Sequence, residues 1–302
     1  MKIAIHGLGK MGIQIARKLA ESDHQVLAHN RSPQKIEEAV KYGAQAAPSK
    51  QDVVDGFSGS QAIIWIMLPA ETVENELHAW LDVLPSGSIL IDGGNSDFRQ
   101  SQTHANTVAT RGSQMLDIGV SGGLWGYQNG FSMMVGGDGN SYHVIEPVLR
   151  SLATPGGAYQ HFGASGSGHF VKMVHNAIEY GMMESLAEGY QLLKAGPYAG
   201  LDLAEAANVW QHHSVITSWL NELCQKSLTQ NPELDGIEGY VAESGEARWA
   251  LTTAQELNLS MPAIKAAFDV RLASQKGEVS FATKLIAAMR NQFGGHPLNK
   301  KP

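Results

Sequence analysis

The feature that most constrains the fold is an alternation of strand-like and helix-like segments that begins at the first residues. Residues 2–6 predict a buried strand and residues 11–21 an amphipathic helix, and the sequence Gly7-Leu8-Gly9-Lys10-Met11-Gly12 joins them. Further strands are predicted at residues 25–29, 62–68, 88–92, 115–119 and 131–136. Strands separated by helices imply right-handed crossovers and a mostly parallel sheet. We therefore expect a Rossmann-type, doubly wound α/β domain over residues 1–163.

The pattern changes near residue 160, and the rest of the chain predicts only helices. Residues 165–193 contain no proline and predict one helix of about 40 Å. Because its apolar residues surround a narrow polar stripe, we expect this helix to be buried most of the way round. Five more helices are predicted at residues 203–210, 214–228, 246–257, 262–274 and 281–292. We assign residues 164–302 to an all-α domain.

Composition excludes several classes of protein. Of the 302 residues 43% are hydrophobic and 17% charged, and the net charge is −7, which disfavours binding to nucleic acid or to a membrane surface. The only cysteine, Cys224, excludes an intrachain disulfide and fits a reducing cytoplasm. No apolar run reaches the ~18 residues of a membrane span. His212 and His213 lack the spacing of metal ligands, so no metal site is predicted.

The glycine motif leaves a predicted strand and opens a predicted helix, which is the setting of a dinucleotide-binding turn. Sites for NAD usually carry an acidic residue at the end of the second strand, where this chain has Asn30-Arg31-Ser32. An arginine there can pair with a 2′-phosphate, although it can also be a solvated residue at the start of a helix. The residues favour NADP, with NAD possible.

The long helix carries the strongest chemical signal. Lys172, His175, Asn176 and Glu179 are spaced i, i+3, i+4 and i+7, and therefore share one face among large apolar residues. A lysine desolvated by such neighbours can act as a base near neutral pH, and a partly buried glutamate can act as an acid. The alternative is an ordinary solvated face.

Other segments are expected at the carboxyl edge of the sheet, where ligands of doubly wound folds bind. Residues 92–96 and 117–123 each follow a strand and are rich in glycine. Either can bind a ligand or simply form a turn. Three later arginines are each either a surface charge or an anion ligand: Arg248, Arg271 and Arg290.

At these residues the chain resembles the shorter-chain branch of the 6-phosphogluconate dehydrogenase family, over nearly its whole length. The resemblance lies in GLGKMG, NRS, IDGGNS and VSGG, in the helix segment GHFVKMVHNAIEYGMME, and in the tail RNQFGGH. It implies oxidative decarboxylation of 6-phosphogluconate to ribulose 5-phosphate and CO2 with reduction of NAD(P), and no metal. It further implies a homo-oligomer, a dimer or tetramer, in which Arg290 and His296 reach into the neighbouring subunit's site.

The resemblance also implies a role for each candidate residue. Lys172 would be the general base and Glu179 the general acid. His175 and Asn176 would hold substrate hydroxyls and the developing carbonyl. The coenzyme residues implied are Gly7, Leu8, Gly9, Met11, Gly12, Asn30, Arg31, Ser32, Leu68 and Asn95. The other substrate residues implied are Asn95, Ser121, Gly122 and Gly123 for the nicotinamide side and carboxylate, and Tyr180, Arg248, Arg271, Arg290 and His296 for the phosphate end. Arg248 departs from the lysine that is usual in long-chain members.

Two alternatives remain from the sequence. A 3-hydroxyisobutyrate-type dehydrogenase would share the first domain and the helix lysine, but its substrate has no phosphate and it would need neither Glu179 nor the tail. A non-catalytic NADP-sensing protein would explain the glycine motif but not the polar stripe on the long helix.

Overall fold

The computed structural model describes residues 1–299, which divide into two compact units at residues 173 and 174. The first unit is built on an eight-stranded sheet in the order β3-β2-β1-β4-β5-β6-β7-β8. All neighbouring strands are parallel except β6 and β7, which pair antiparallel. The strands are β1 (Lys2–His6), β2 (Gln25–His29), β3 (Gln45–Ala46), β4 (Ile63–Ile66), β5 (Ile89–Asp92), β6 (Gln114–Ser121), β7 (Ser132–Gly137) and β8 (Tyr159–His161).

Helices connect these strands and cover both faces of the sheet. They are α1 (Lys10–Ala20), α2 (Pro33–Val40), α3 (Lys50–Phe57), α4 (Ala70–Leu81), α5 (Phe98–Thr110), α6 (Gly126–Asn129) and α7 (Gly139–Ala153). Side chains along a strand alternate between faces, so Ile3 and Ile5 join one buried cluster while Ala4 joins the other. Strands buried on both faces explain the continuous apolar runs in the sequence.

The second unit contains helices alone among the described residues. Helix α8 (Ser167–Ala195) begins in the first unit and continues into the second. It is followed by α9 (Leu203–Gln211), α10 (Trp219–Gln230), α11 (Glu246–Glu256), α12 (Pro262–Ser274) and α13 (Phe281–Gly294). The core of this unit surrounds the fully buried Tyr190, whose hydroxyl donates to Asn221. Within residues 1–299, no helix has the length and apolar character needed to cross a membrane.

The predicted fold class is confirmed, and the start of one helix differs from prediction. Helix α10 begins at Trp219 rather than at residue 214, because the Ser218 hydroxyl accepts a hydrogen bond from the Asn221 N–H and caps the helix there. Helix α8 leaves one apolar stripe uncovered within the chain: Ile178, Met182 and Leu192 are 50%, 43% and 73% exposed. Large apolar residues on a helix therefore did not imply burial within this chain.

Candidate active site

The glycine-rich loop after β1 has a shape that only glycine allows. Gly7 has a φ of +100°, and a Cβ there would lie 2.5 Å from the Met67 carbonyl oxygen. A Cβ on Gly12 would lie 1.9 Å from the Gly7 carbonyl oxygen. A Cβ on Gly9, the N-cap of α1, would meet no atom within 4 Å. The loop therefore borders open space at a helix N-terminus, which fits a pyrophosphate.

The end of β2 is tied to this loop by Asn30. Its Oδ1 accepts from the Leu8 N–H at 3.0 Å, and its Nδ2 donates to the Ser32 carbonyl at 3.3 Å. Arg31 is exposed and makes no ion pair or hydrogen bond within residues 1–299. The structure thus gives Asn30 a role that the motif did not reveal, since it fixes the glycine loop.

Two further coenzyme candidates lie along this edge of the sheet. The side chain of Leu68 approaches Gly7, with Cδ2 2.8 Å from where a Cβ would stand. Asn95 is exposed on the loop after β5. That loop is held by the fully buried Asp92, whose oxygens accept from the Gly94 N–H at 3.0 Å and the Ser96 hydroxyl at 2.7 Å. Asp92 therefore shapes the loop instead of facing a ligand.

The first turns of α8 are anchored to the end of β6. The buried Asp117 accepts from the backbone N–H groups of Gly166 at 2.7 Å and His169 at 2.9 Å, and so satisfies helix donors that would lack partners. A Cβ on Gly119 would lie 2.2 Å from the Lys172 Cβ, so the lysine stem packs directly on the strand. Lys172 is 7% exposed. The strand ends at Ser121, followed by Gly122 with a φ of +126° and a 3-10 turn from Gly123.

Beyond Lys172, the polar stripe of α8 continues as a hydrogen-bonded chain. His175 Nδ1 lies 2.9 Å from Asn176 Oδ1, and Asn176 Nδ2 donates to Glu246 Oε1 at 2.9 Å. The same His175 nitrogen lies 3.9 Å from Glu179 Oε2. Glu246, the first residue of α11, is 2% exposed. Sequence reasoning missed it, because a glutamate in a first helical turn is usually only a favourable charge at the helix terminus.

Two buried arginines form the most unusual electrostatic feature of the second unit. Arg271 and Arg290 are 2% and 6% exposed. Within residues 1–299 neither lies within 4.0 Å of a carboxylate oxygen, and the Arg271 guanidinium stands 3.2 Å above the centre of the Tyr180 ring. Burial, followed by the charge of Arg290, lowers the pKa of Arg271 to about 10. Burial also lowers the pKa of Arg290. Both arginines stay charged at neutral pH, and a buried cation without a carboxylate partner suits a bound anion.

That Arg290 and His296 reach into a neighbouring subunit's site stays a prediction. Within the single chain, Arg290 has a well-defined place. Arg290 lies on α13, which continues to Gly294, and its charge interacts with Tyr180, Glu179 and Glu246 of the same chain. The apolar side of α13 packs into the core of the second unit, and this packing keeps Arg290 inside.

The last two phosphate candidates have different surroundings. Arg248 is largely exposed, donates to Glu243 at 2.8 Å, and is not part of the buried arginine pair. His296 is half-buried beside Phe293, with ring centres 6.0 Å apart, and its carbonyl accepts from Asn291 Nδ2 at 2.7 Å. Roles for both in binding phosphate stay predictions.

Comparison with known proteins settles the family. Residues 2–164 match the model of the NAD-binding domain of 6-phosphogluconate dehydrogenase, and residues 168–290 match that of its C-terminal domain. The chain belongs to the 6-phosphogluconate dehydrogenase family. An NAD(+)-dependent, decarboxylating 6-phosphogluconate dehydrogenase from Haloferax volcanii is 35% identical over 303 residues, covering all of this chain and 99% of the relative.

Solved structures agree on the fold. A Plasmodium falciparum 6-phosphogluconate dehydrogenase superposes with a TM-score of 0.82 at 24% identity, over 96% of this chain and 70% of that one. A Mycobacterium tuberculosis 3-hydroxyisobutyrate dehydrogenase gives a TM-score of 0.73 at 22% identity, over 96% and 99%. The family models and the Haloferax volcanii relative confirm the resemblance seen in the sequence: the chain is an oxidoreductase of this family with its NAD-binding domain.

Proposed function

We propose that this chain oxidises and decarboxylates 6-phosphogluconate, giving ribulose 5-phosphate and CO2 while NAD(P)+ is reduced. The observation that carries the proposal is the buried pair Arg271 and Arg290 beside Tyr180. Two cations desolvated in this way match a phosphate dianion. A 3-hydroxyacid without phosphate would leave both buried arginines without an anion to receive their hydrogen bonds, which is costly.

The proposed chemistry uses the polar stripe of α8. NAD(P)+, held at the glycine loop, would supply the acceptor for the hydride from C3 of the substrate. Lys172 takes the C3 hydroxyl proton as the hydride leaves, and this gives a 3-keto acid. The C1 carboxylate then departs as CO2, and the protonated Lys172 stabilises negative charge on the enolate oxygen. Glu179 donates a proton to the former C2, which becomes the C1 hydroxymethyl group of ribulose 5-phosphate.

Other residues would bind and orient the substrate. We assign the C1 carboxylate to Ser121, Gly122 and Gly123, where the positive φ of Gly122 lets backbone N–H groups turn toward an anion. Asn95 would contact the nicotinamide side of the substrate. His175 and Asn176 would bind its hydroxyls, and Tyr180, Arg248, Arg271, Arg290 and His296 would bind its phosphate end.

For the coenzyme we propose NADP in preference to NAD. The support is the exposed Arg31 on a strand end that carries no acidic side chain at residues 30–32. A carboxylate there would repel a 2′-phosphate, whereas a guanidinium can pair with it.

Assembly is a separate proposal. We propose a homo-oligomer, a dimer or tetramer, in line with the family resemblance and with apolar side chains such as Leu192 and Val215 that are 73% and 104% exposed. Light scattering coupled to size-exclusion chromatography would measure the mass, and a monomer at micromolar concentration would contradict it.

Steady-state assay of the purified chain tests the activity directly. We expect NAD(P)H formation with 6-phosphogluconate, with one CO2 released per coenzyme reduced, and none with 3-hydroxyisobutyrate. Lys172→Met should lower kcat at least ~10²-fold and leave coenzyme affinity intact, because general-base catalysis contributes at that level. If the chain turned over only 3-hydroxyisobutyrate, the proposal would be wrong and the chain would be a dehydrogenase of non-phosphorylated 3-hydroxyacids. Coenzyme binding without turnover of either acid would point to a sensing protein.

A further inference from the structure

Glu246 is a buried acid to which the proposed mechanism gives no role. Its Oε1 accepts from Asn176 Nδ2 at 2.9 Å, while Oε2 is buried and makes no hydrogen bond to any described residue. A buried carboxylate with half of its hydrogen-bonding capacity unused costs free energy. The charge of Arg290 interacts with Glu246, but that interaction does not account for the hydrogen bond to Asn176.

The bond from Asn176 restricts how that side chain can be oriented. A carboxylate only accepts hydrogen bonds, so Asn176 must present its NH2 group to Glu246 and its Oδ1 to the opposite side. There Oδ1 lies 2.9 Å from His175 Nδ1. Because an amide oxygen also only accepts, the proton of a neutral His175 belongs on Nδ1. The lone pair of the imidazole is then on Nε2.

We infer that Glu246 is a positioning residue that sets the tautomer of His175 through Asn176. The three side chains form a relay, Glu246–Asn176–His175, in which each bond fixes the direction of the next. If the proposed function holds, the sugar acid supplies hydroxyl groups, and a His175 with an unprotonated Nε2 accepts a bond from one of them. The opposite tautomer would offer a donor and compete for the hydroxyl oxygen.

Nuclear magnetic resonance reports the tautomer without any need for activity. In the holoenzyme labelled with 15N-histidine, long-range 1H–15N correlations distinguish protonated from unprotonated imidazole nitrogens, and His175→Gln assigns the signal. We expect Nδ1–H in the wild type and a shift toward Nε2–H in Glu246→Gln, because glutamine can offer its own NH2 and allow Asn176 to flip. Glu256→Gln, an exposed position at the end of the same helix, should leave the signal unchanged.

Kinetics supply a second readout. In Glu246→Gln we expect kcat/KM for 6-phosphogluconate to fall about 10- to 100-fold, the usual effect of losing a group that orients a ligand-binding side chain, with KM for the coenzyme unchanged. An unaltered His175 tautomer with kcat/KM within about twofold of wild type would overturn the relay. If Glu246→Gln fails to fold, Asn176→Ala tests the second bond, and an unchanged tautomer there overturns the inference equally.

Failure of the relay and failure of the proposed function can be told apart. A tautomer shift in a protein that never turns over 6-phosphogluconate supports the relay and rejects that substrate. If the wild type turns over 6-phosphogluconate normally and the His175 tautomer is the same in wild type and Glu246→Gln, the substrate is supported and the relay is rejected.

Discussion

The two units of the molecule differ in how their candidate anion-binding sites are built. Up to residue 173 the candidate anion site is made of backbone, a glycine loop with open space around Gly9 and one exposed arginine, Arg31. Beyond residue 174 it is made of buried charge, Arg271 and Arg290. Backbone N–H groups at a helix start are already positioned by the fold, whereas buried guanidinium groups carry a desolvation cost that lowers their pKa. The first site should therefore be sensitive to shape and the second to charge.

The largest effect is expected from a change of shape in the first unit. Gly12→Ala places a methyl group 1.9 Å from the Gly7 carbonyl oxygen, so the loop must move. Coenzyme affinity should fall at least ~10²-fold, the level expected when a binding group is misplaced by about 1 Å. Fluorescence titration with NADPH measures it. Gly139→Ala, where a Cβ meets no atom within 4 Å, is the control, and equal affinities in the two variants would show that the loop tolerates bulk.

The next largest effect is expected from removing a buried positive charge in the second unit. Arg271→Met or Arg290→Met should raise KM for 6-phosphogluconate about 10- to 150-fold, which corresponds to losing a charge-assisted hydrogen bond of roughly 1.5–3 kcal/mol. KM for the coenzyme should stay unchanged in the same assays. Arg248→Met should have a smaller effect, because that arginine is exposed and paired with Glu243. A larger effect at Arg248 than at Arg271 or Arg290 would indicate that the phosphate binds at Arg248 instead.

A smaller effect is expected where the first unit does use charge. Arg31→Ala should raise KM for NADP about 10-fold and leave KM for NAD nearly unchanged, because an exposed ion pair is partly screened by solvent. Lys35→Ala nearby, an exposed residue paired with Glu38, is the control. Equal changes for NADP and NAD would mean that Arg31 does not contact the 2′-phosphate.

The smallest effect on activity, but a measurable one on stability, is expected from an acid beside the buried arginines. Glu184 is 7% exposed, and burial, then the charge of Glu188, raises its pKa to about 7 against the attraction of Arg271. Because the folded state prefers the protonated acid, stability is full below the ordinary pKa near 4.5 and is lost as the pH rises through 7.

Glu184→Gln should therefore stabilise the protein by about 1–3 kcal/mol at pH 8, with no gain at pH 4. Thermal unfolding at both pH values measures the difference while kcat stays unchanged. The exposed Glu188→Gln should give a much smaller gain. A Glu184→Gln gain that is independent of pH would reflect packing and not ionisation.

Much of the fold could be predicted because its signals are local. The strand of residues 25–29 and the helix of residues 262–274 lie where the pattern placed them, and Pro33 opens α2 at the first helical position. Periodicity and helix termini depend on neighbours within a few residues, so a single sequence contains them. Helix α10 was misplaced because the Ser218 cap, one of several polar residues in that stretch, decides its start.

The candidate site could be predicted only in part. The sequence alone determined the glycine loop and the spacing of Lys172, His175, Asn176 and Glu179, since both are fixed along one chain segment. Tertiary structure decided that Glu246 meets Asn176, 70 residues away, and that Arg290 is buried with its charge near Tyr180 and Glu179. Those contacts depend on how separate helices pack against each other. Packing is the sum of many weak contacts between side chains far apart in the sequence, so a local sequence pattern does not predict it.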